Sequence, residues 1–389
     1  MPPKLLVVDD EPDLQTLVRQ KFRRQIRDEE LEFVFAQSGV EALSRLDEHP
    51  DICMVLSDIN MPEMDGLTLL GKILERRNPL LKTVVVSAYG DMENIRTAMN
   101  RGAFDFVTKP IDFTDLEATI GKTLNELEAL RKAAEDHNKL MAVQRELSVA
   151  ARIQQNILPR KYPPFPDRPE LEIFGNMIPA KEVGGDFFDF FFLDDDRLAF
   201  VIGDVSGKGM PAALFMAVSH TLLRAVAPQA DNPGDCLQRV NQMLIPGNDA
   251  GLFVTVFYAV LDTRTGQLQF CNGGHNLPFV ARTNGAVESV GHQGSVFLGV
   301  VEGLEYGVEE TTLAPGETIF LYTDGVSEAM NVNQEMFTEE RLQAHLASLN
   351  GTPLQTFFKE TSVEIAEHVG AAPQSDDLTM LGVRYLGKT

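Results

Sequence analysis

The first ~112 residues alternate short apolar runs with amphipathic stretches. The apolar runs, such as 5–8 and 83–87, are four or five residues long, and helical spacing lies between them, as in 66–75. Short buried strands that alternate with amphipathic helices indicate a parallel sheet covered by helices on both faces. The pattern therefore predicts a doubly wound, five-stranded α/β domain over residues 1–113.

The pattern changes at residue 114. The sequence from Thr114 to Glu117 fits a capping box, and roughly 45 residues rich in Ala, Glu, Leu, Lys and Gln follow, with one Gly and no Pro. We expect one long helix over 114–158, and we favour its pairing with a second copy as a coiled coil in a homodimer over packing on its own domains. The apolar positions follow two registers that meet near 137–140. The first comprises Leu116, Ile120, Thr123, Leu127, Leu130, Ala134 and His137, and the second comprises Leu140, Val143, Leu147, Ala150 and Ile157.

Beyond residue 158 a proline-rich stretch ends the helix, and strand signals with hairpin turns follow. Hairpins are indicated at 262–266 and at Asn284-Gly285, and helical stretches lie at about 211–227 and 353–369. The segment 187–193 contains five phenylalanines without interleaved basic residues and predicts a buried strand. Residues 159–389 are thus expected to form an α+β domain, an antiparallel β-sandwich flanked by helices.

The net charge, the length of the apolar runs and the cysteine spacing limit which partners and which location are expected. The net charge of −23 disfavours nucleic acid and anionic membranes as partners. Uninterrupted apolar runs stay below the ~18 residues that span a bilayer, and the first residues are too short for a secretory signal, so we expect a cytoplasmic protein. Cys53, Cys236 and Cys271 show no C-x-x-C spacing and are expected to be buried, reduced thiols.

Polar residues follow the predicted parallel strands at their carboxyl ends, where open α/β sheets bind ligands. Any one of these aspartates is as well explained as a helix cap, but five markers together favour a site. Clustered carboxylates repel each other, and one Mg²⁺ would relieve the repulsion and let a carboxylate attack a phosphoryl group. We expect a cis bond before Pro110, which would aim Lys109. The markers are Asp9, Asp10, Asp58, Ser87 and Lys109.

These residues lie in recognisable strings. Val-Val-Asp9-Asp10-Glu11, Ser57-Asp58-Ile59-Asn60 and Thr108-Lys109-Pro110 resemble the signature of two-component response-regulator receivers, over residues 4 to about 125. The resemblance implies phosphorylation of Asp58 by a sensor histidine kinase. It further implies that Ser87 and Tyr89 are switch residues and that Lys109 contacts the phosphoryl group. The residues implied to hold one Mg²⁺ are Asp9, Asp10, Asp58 and Asn60.

Four aspartate motifs mark the C-terminal part. Each touches an apolar run and so lies at a strand end or in a turn, and glycine beside aspartate lets the backbone approach closely. A turn is the simpler explanation for any single Asp-Gly pair. Oxygen ligands favour Mg²⁺ or Mn²⁺ over Zn²⁺, and two such ions would activate water for hydrolysis. The motifs are Gly184-Gly185-Asp186, Gly203-Asp204-Val205, Asp324-Gly325 and Ser375-Asp376.

Together with the strings at 203–214, 272–278 and 151–159, these motifs resemble the PPM metal-dependent protein phosphatases of the stage II sporulation E branch, over about 148–386. The resemblance implies hydrolysis of phosphoserine or phosphothreonine on a protein, with an anti-sigma-factor antagonist as substrate. Two Mg²⁺ or Mn²⁺ ions are implied. Their implied ligands are Asp204 for both ions, the Val205 carbonyl for one, Asp324 and Asp376 for the other, and Asp186 directly or through water.

Two residues near these motifs have open roles. His275 is expected to brace a loop rather than act as an acid, and Lys208 either meets substrate phosphate or is a solvated turn lysine. Gln334 and Thr338 depart from the family pattern, because glycines usually stand around the substrate-facing flap.

Two other functions agree with part of the sequence. Gly184-Gly185-Asp186-Phe-Phe resembles the diguanylate cyclase signature, but Phe187 stands where that signature has a catalytic Glu. The other is a non-catalytic adaptor with a phosphatase-like fold, and the full set of metal aspartates argues against it.

Overall fold

The chain divides into two compact units. A computed structural model describes residues 2–88, 90–292, 296–349 and 351–388. The first unit spans Met1–Val143 and the second Gln144–Thr389. The boundary between them falls inside one long helix.

The N-terminal unit is built on a five-stranded parallel sheet, as predicted. Its strands are β1 (Lys4–Val8), β2 (Glu32–Ala36), β3 (Ile52–Asp58), β4 (Lys82–Ala88) and β5 (Asp105–Lys109). Its first five helices are α1 (Pro12–Lys21), α2 (Arg23–Arg27), α3 (Gly39–Glu48), α4 (Gly66–Glu75) and α5 (Met92–Asn100). The strand order is β2-β1-β3-β4-β5, and all neighbours are parallel, so their carboxyl ends meet at one edge.

Helices on both faces explain the apolar strands. All seven residues of β3 are buried, because this central strand is covered on either side. On β1, Leu5 and Val7 pack in a cluster with α1, whereas Leu6 and Val8 pack in a cluster with α3 and α4. Successive side chains of a strand point to opposite faces, so one short strand contributes to two cores.

The predicted linker helix is present as α6 (Phe113–Ile157). The predicted cap is wrong, because Asp112 rather than Thr114 closes the first turn. The Asp112 carboxylate accepts a hydrogen bond from the Thr114 amide at 2.8 Å, and the Asp112 carbonyl accepts one from the Leu116 amide at 2.9 Å. Two candidate caps two residues apart explain the error, since both are favourable N-cap residue types.

The first apolar register of α6 packs on its own domain. Leu116, Ile120 and Leu127 are buried in the core formed with β1 and β3, and Leu127 is only 2% exposed. This stretch therefore cannot serve as a seam for a second helix, and the coiled-coil prediction is wrong there. Residues 131–146 are exposed on every side, and the side chain of Leu140 is 55% exposed.

The C-terminal unit contains two five-stranded antiparallel sheets. Its strands are β6 (Leu171–Ile178), β7 (Phe187–Phe192), β8 (Arg197–Val205), β9 (Val254–Asp262), β10 (Gln267–Gly273), β11 (Phe279–Ala281), β12 (Val287–Ser289), β13 (Glu309–Thr312), β14 (Thr318–Tyr322) and β15 (Leu378–Tyr385). Its other helices are α7 (Met210–Val226), α8 (Pro233–Leu244), α9 (Asp324–Ser327), α10 (Glu339–Ser348) and α11 (Leu354–Val369). The sheet orders are β13-β10-β9-β8-β7 and β12-β11-β14-β15-β6.

The two sheets share one apolar core, as expected of a β-sandwich. Phe200 and Phe257 of the first sheet belong to the same buried cluster as Leu321 and Val383 of the second. Helices α7 and α8 pack against the first sheet, and α10 and α11 pack against the second. Both predicted hairpins are present, between β9 and β10 and between β11 and β12, and β7 is the predicted phenylalanine-rich strand.

Among the residues that the structure describes, one helical segment has the length and composition of a membrane span. The segment Met210–Gln229 passes this test, although 44% of its apolar window is buried. Sequence inspection missed it because Ser219, His220 and Thr221 interrupt the apolar run. Buried side chains of α7, such as Met216 and Leu223, pack in the sandwich core. All three cysteines are buried and free, as predicted.

The burial of α6 predicts unequal effects of two leucine truncations. Leu127→Ala should destabilise the N-terminal unit by roughly 2–5 kcal/mol, because it leaves a cavity in the core. Leu140→Ala removes an exposed side chain and should change the stability of that unit by about 0.5 kcal/mol or less. Hydrogen exchange of the β1 and β3 amides in the full chain measures both effects. Equal protection in the two variants would contradict the assignment of Leu127 to the core.

Candidate functional site

The carboxyl edge of the parallel sheet brings three carboxylates together. Asp9 and Asp10 follow β1, Asp58 ends β3, and one oxygen from each lies within 4.8 Å of the others. Asp9 and Asp58 are buried, whereas Asp10 is exposed. Such a cluster of hard oxygen donors at a partly open edge fits a divalent cation such as Mg²⁺.

Lys109 reaches the same edge from the end of β5. Its Nζ lies 2.9 Å from Asp9 Oδ2 and 2.5 Å from Asp58 Oδ2. Burial lowers the pKa of Lys109, but its hydrogen bonds with Asp58 and Asp9 outweigh this effect and raise the pKa overall. The lysine therefore stays charged at neutral pH and offsets part of the carboxylate charge. The Lys109-Pro110 bond is cis, as predicted.

Ser87, Asn60 and Tyr89 are the other predicted receiver residues. Ser87 lies in β4, and its buried hydroxyl has no hydrogen-bond partner among the described residues. A phosphoryl oxygen is the kind of acceptor that would satisfy it. The backbone N–H of Asn60 donates a hydrogen bond to Asp58 Oδ1 at 3.2 Å. Tyr89 lies outside the described residues.

Four strands of the sandwich deliver the C-terminal aspartates. Asp186 directly precedes β7, Asp204 lies near the end of β8, Asp324 begins α9 after β14, and Asp376 lies two residues before β15. The carboxyl groups of Asp186 and Asp204 lie close enough for each to shift the pKa of the other. The Thr323 hydroxyl donates to Asp186 Oδ2 at 2.8 Å. The structure thus brings motifs from both sheets to one place.

These aspartates carry more negative charge than their surroundings compensate. Burial, reinforced by Asp324 and Asp376, raises the pKa of Asp204 to about 7. Burial and the charge of Asp204 raise the pKa of Asp186 well above its ordinary value, and burial also raises the pKa of Asp324. Divalent cations would remove this penalty by favouring the ionised carboxylates. The donor set therefore fits the predicted Mg²⁺ or Mn²⁺ ions.

Glycines beside the aspartates are required by close packing. A Cβ at Gly184 would lie 2.1 Å from Asp377 Oδ2, and a Cβ at Gly325 would lie 2.0 Å from the Asp377 carbonyl oxygen. A Cβ at Gly185 would lie 2.8 Å from the carbonyl oxygen of Val205, the predicted backbone ligand. These motifs therefore contact each other through backbone, and larger residues would force them apart.

Lys208 forms an ion pair with a predicted metal ligand, and its contact with substrate phosphate stays a prediction. Its Nζ lies 2.8 Å from Asp376 Oδ2, and this hydrogen bond raises the pKa of Lys208. The lysine is thus paired with a predicted metal ligand instead of being free in solvent, and it offsets part of the local negative charge.

His275 braces the sandwich, as expected. Its Nδ1 lies 2.9 Å from the Thr255 hydroxyl, and its Nε2 lies 3.1 Å from the Tyr322 carbonyl oxygen. A carbonyl only accepts, so Nε2 carries the proton and Nδ1 accepts. Burial lowers the pKa of His275 to about 4, so the ring is neutral and unsuited to donate a proton as a cation.

The flap region keeps the backbone conformation that glycine favours. Gln334 has φ 64° and Thr338 has φ 70°, both in the left-handed region. Such strain costs on the order of 1–3 kcal/mol per residue. Thr338 also caps α10, since its hydroxyl accepts a hydrogen bond from the Arg341 amide. Gln334 and Thr338 therefore adopt, with strain, a conformation that glycine adopts readily.

Two side chains in the site escaped the sequence analysis. Asp377 accepts hydrogen bonds from the Ala180 and Gly185 amides, and Gln154 of α6 pairs with the Gly184 backbone. The doublet Asp376-Asp377 was a usable signal, because a second buried acid beside a metal ligand needs its own partners. Nothing local in the sequence distinguishes Gln154 from its neighbour Gln155.

Comparison with known proteins places each unit in a family. The response regulator receiver domain family matches residues 5–121. Chemotaxis protein CheY of Listeria monocytogenes is 38% identical over 133 residues, which are 34% of this chain and 98% of CheY. The chain belongs to the response-regulator receiver family. Its predicted N-terminal fold and family are thereby confirmed.

The C-terminal unit matches a phosphatase family. The stage II sporulation protein E family matches residues 194–386. Phosphoserine phosphatase RsbU of Bacillus subtilis is 29% identical over 206 residues, 52% of this chain and 60% of RsbU. The SiaA-PP2C domain of Pseudomonas aeruginosa has the same fold, with a TM-score of 0.57 and 24% identity over 64% of this chain and 98% of that domain. The C-terminal unit therefore contains a domain that matches the stage II sporulation protein E family and has the fold of the SiaA-PP2C domain.

Coverage is partial for the longer relatives. Curated relatives that align with more than half of this chain, RsbU among them, are matched by it over 41% to 60% of their own length.

The raised pKa of Asp204 predicts a pH-dependent effect of Asp204→Asn in chelator. A neutral Asp204 stabilises the folded state below its ordinary pKa, and this contribution is lost as the pH rises through about 7. Asparagine does not ionise, so Asp204→Asn should be more stable than the natural chain at pH 8, and this advantage should shrink as the pH falls and vanish only below the ordinary pKa of 3.8. Urea denaturation in EDTA, read on the C-terminal unit, measures the difference. A stability difference between the two chains that does not depend on pH would show that the pKa of Asp204 is not raised in the folded state.

Proposed function

We propose that this protein is a response regulator whose phosphorylation at Asp58 controls a metal-dependent phosphoserine and phosphothreonine protein phosphatase. The observation that carries the proposal is the presence, on one chain, of the Asp9, Asp10, Asp58 cluster with Lys109 and of the four-aspartate sandwich site. The name of RsbU as a phosphoserine phosphatase supports the same chemistry. The proposed limits are a receiver over 1–113, a linker over 114–158 and a phosphatase over 159–389, and the first turns of the linker helix pack on the receiver.

In the receiver, Asp58 accepts a phosphoryl group from a sensor histidine kinase. Asp9, Asp10, Asp58 and the Asn60 backbone would hold one Mg²⁺, which would offset carboxylate charge and orient the phosphoryl oxygens. Lys109 lies 2.5 Å from Asp58 and holds a transferred phosphoryl oxygen by charge. The unpartnered Ser87 hydroxyl donates to another oxygen, and Ser87 and Tyr89 act as switch residues.

In the phosphatase, two Mg²⁺ or Mn²⁺ ions supply an activated water and neutralise phosphate charge when they are bound. Asp204 would bind both ions, and the Val205 carbonyl would bind one. Asp324 and Asp376 would hold the other ion, and Asp186 would act directly or through water. Lys208 orients Asp376 by their ion pair, and neutral His275 ties β9 to β14.

The substrate is a phosphorylated protein, and we assign it to the anti-sigma-factor antagonists. The resemblance to the stage II sporulation E branch supports this class, and the name of RsbU, a phosphoserine phosphatase, supports a phosphoserine substrate. A net charge of −23 disfavours nucleic acid and membrane as partners. We place the protein in the cytoplasm with its kinase and substrate.

The exposed part of α6 is the proposed dimer contact. Residues 131–146 present Leu140 and Val143 to solvent, and pairing with a second copy would bury both. The first turns of α6 pack in the receiver core, and its last turns carry Gln154 to the Gly184 backbone. A change in helix pairing is therefore a means by which Asp58 phosphorylation alters phosphatase rate.

Asp204→Asn should abolish turnover of a phosphoserine protein while the fold is retained, because one ligand shared by two ions loses its charge. Release of phosphate in Mn²⁺ or Mg²⁺ measures the effect, and circular dichroism checks the fold. Exposed Asp195→Asn is the matched control and should keep full activity. Full turnover by Asp204→Asn, or by the natural chain in excess chelator, would sink the two-metal proposal.

Small phosphodonors with Mg²⁺ should label Asp58 and leave Asp58→Ala unlabelled, and labelling should change the phosphatase rate.

Leu140→Asp with Val143→Asp should weaken dimers and uncouple the phosphatase rate from labelling of Asp58. Within 131–146, deleting seven residues roughly preserves the helical phase and should keep coupling, whereas deleting three rotates the helix by about 60° and should not. Label on a serine or histidine would refute the receiver role. Equal rates in both phosphorylation states would refute the control.

A further inference from the structure

The turn that carries Asp186 is held by side chains instead of by a sheet. Asp377 Oδ1 accepts from the Ala180 amide at 2.8 Å, and Asp377 Oδ2 accepts from the Gly185 amide at 2.8 Å. The Asp186 amide also faces Asp377 Oδ2, at 3.5 Å. A buried carboxylate in this position gathers three backbone donors.

Gln154 holds the same turn from the other side. Its Nε2 donates to the Gly184 carbonyl oxygen at 2.5 Å, and its Oε1 accepts from the Gly184 amide at 3.1 Å. The carboxamide thus pairs with Gly184 as a neighbouring strand would. Gln154 is buried, so these bonds are not exchanged for water at low cost.

Together the two side chains account for three consecutive backbone amides. Gly184 donates to Gln154, and Gly185 and Asp186 donate to Asp377. The Cβ that any other residue would add at Gly184 would lie 2.1 Å from Asp377 Oδ2, so the fit leaves no slack. The backbone from which the Asp186 carboxyl reaches Asp204 is therefore set by Gln154 and Asp377.

We infer that Asp377 and Gln154 are positioning residues that place Asp186 for metal binding. This rests on the proposed function, in which Asp186 and Asp204 belong to the metal centre. Both Asp377 oxygens already accept backbone hydrogen bonds, which suits a support for the turn and not a ligand. The inference assigns the last turns of α6 a direct part in the geometry of the phosphatase site.

The hydrogen bonds that Asp377 and Gln154 make to the turn decide which variants are informative. Asp377→Asn keeps the shape, but one of its two ends must present N–H to a backbone N–H. Gln154→Glu keeps length and one acceptor, but it places a carboxylate oxygen against the Gly184 carbonyl oxygen. Both changes therefore oppose the turn without creating a cavity.

The test measures Mn²⁺ binding and Mn²⁺-dependent phosphate release with the full chain. In Asp377→Asn and in Gln154→Glu, the half-saturating Mn²⁺ concentration should rise about 10–100-fold, as for residues that support metal ligands. Turnover at saturating Mn²⁺ should recover to within about threefold of the natural chain. Exposed Gln155→Glu and Asp195→Asn are matched controls and should bind Mn²⁺ normally.

Each other outcome overturns the inference for a different reason. A lower thermal midpoint with an unchanged Mn²⁺ dependence would show that Asp377 and Gln154 only stabilise the fold. Turnover of Asp377→Asn that saturating Mn²⁺ fails to restore would make Asp377 a ligand. If Asp377→Asn does not fold, Gln154→Glu alone decides by the same criteria. If the natural chain binds no Mn²⁺, the proposed function is overturned as well. If Asp377→Asn and Gln154→Glu bind Mn²⁺ as the natural chain does and only Asp204→Asn loses binding, the inference is overturned and the proposed function stands.

Discussion

Burying several carboxylates together is the constraint on which the phosphatase unit depends. Asp186 and Asp204 lie close together inside the sandwich, and burial raises the pKa of both. Such a cluster is costly unless cations compensate it, so the fold must hold the acids against their repulsion. Strand ends from both sheets, glycines without side chains and buried hydrogen bonds to Thr323 and Asp377 supply that hold.

Most of the fold and the acidic residues of the site were predictable from the sequence. Asp204 and Asp324 each stand beside an apolar run and a glycine or a strand end, which are local signals. The residues that organise them were not predictable, since the Asp377 contact with Gly185 spans 192 positions and the Gln154 contact with Gly184 spans 30. Contacts across such separations depend on how the sheets meet, and periodicity within one chain does not encode that.

The linker helix shows the same limit. Its length followed from composition and the absence of proline, and α6 agrees with the prediction to within one residue at either end. Apolar spacing marks which side of a helix avoids water, but it does not identify the surface that covers that side. Leu127 therefore fitted a coiled-coil seam in sequence and packs in the receiver core in the structure. The change of register near 137–140 lies within the segment exposed on every side.

A crystal structure of the full chain with Mn²⁺, read by anomalous scattering, tests the central claim most directly. Two ions should lie about 3.5–4 Å apart in the C-terminal unit. Asp204 should contact both ions, and Asp324 and Asp376 should contact one of them. A single ion, or ions that do not touch Asp204, would contradict the two-metal site on which the proposed phosphatase depends.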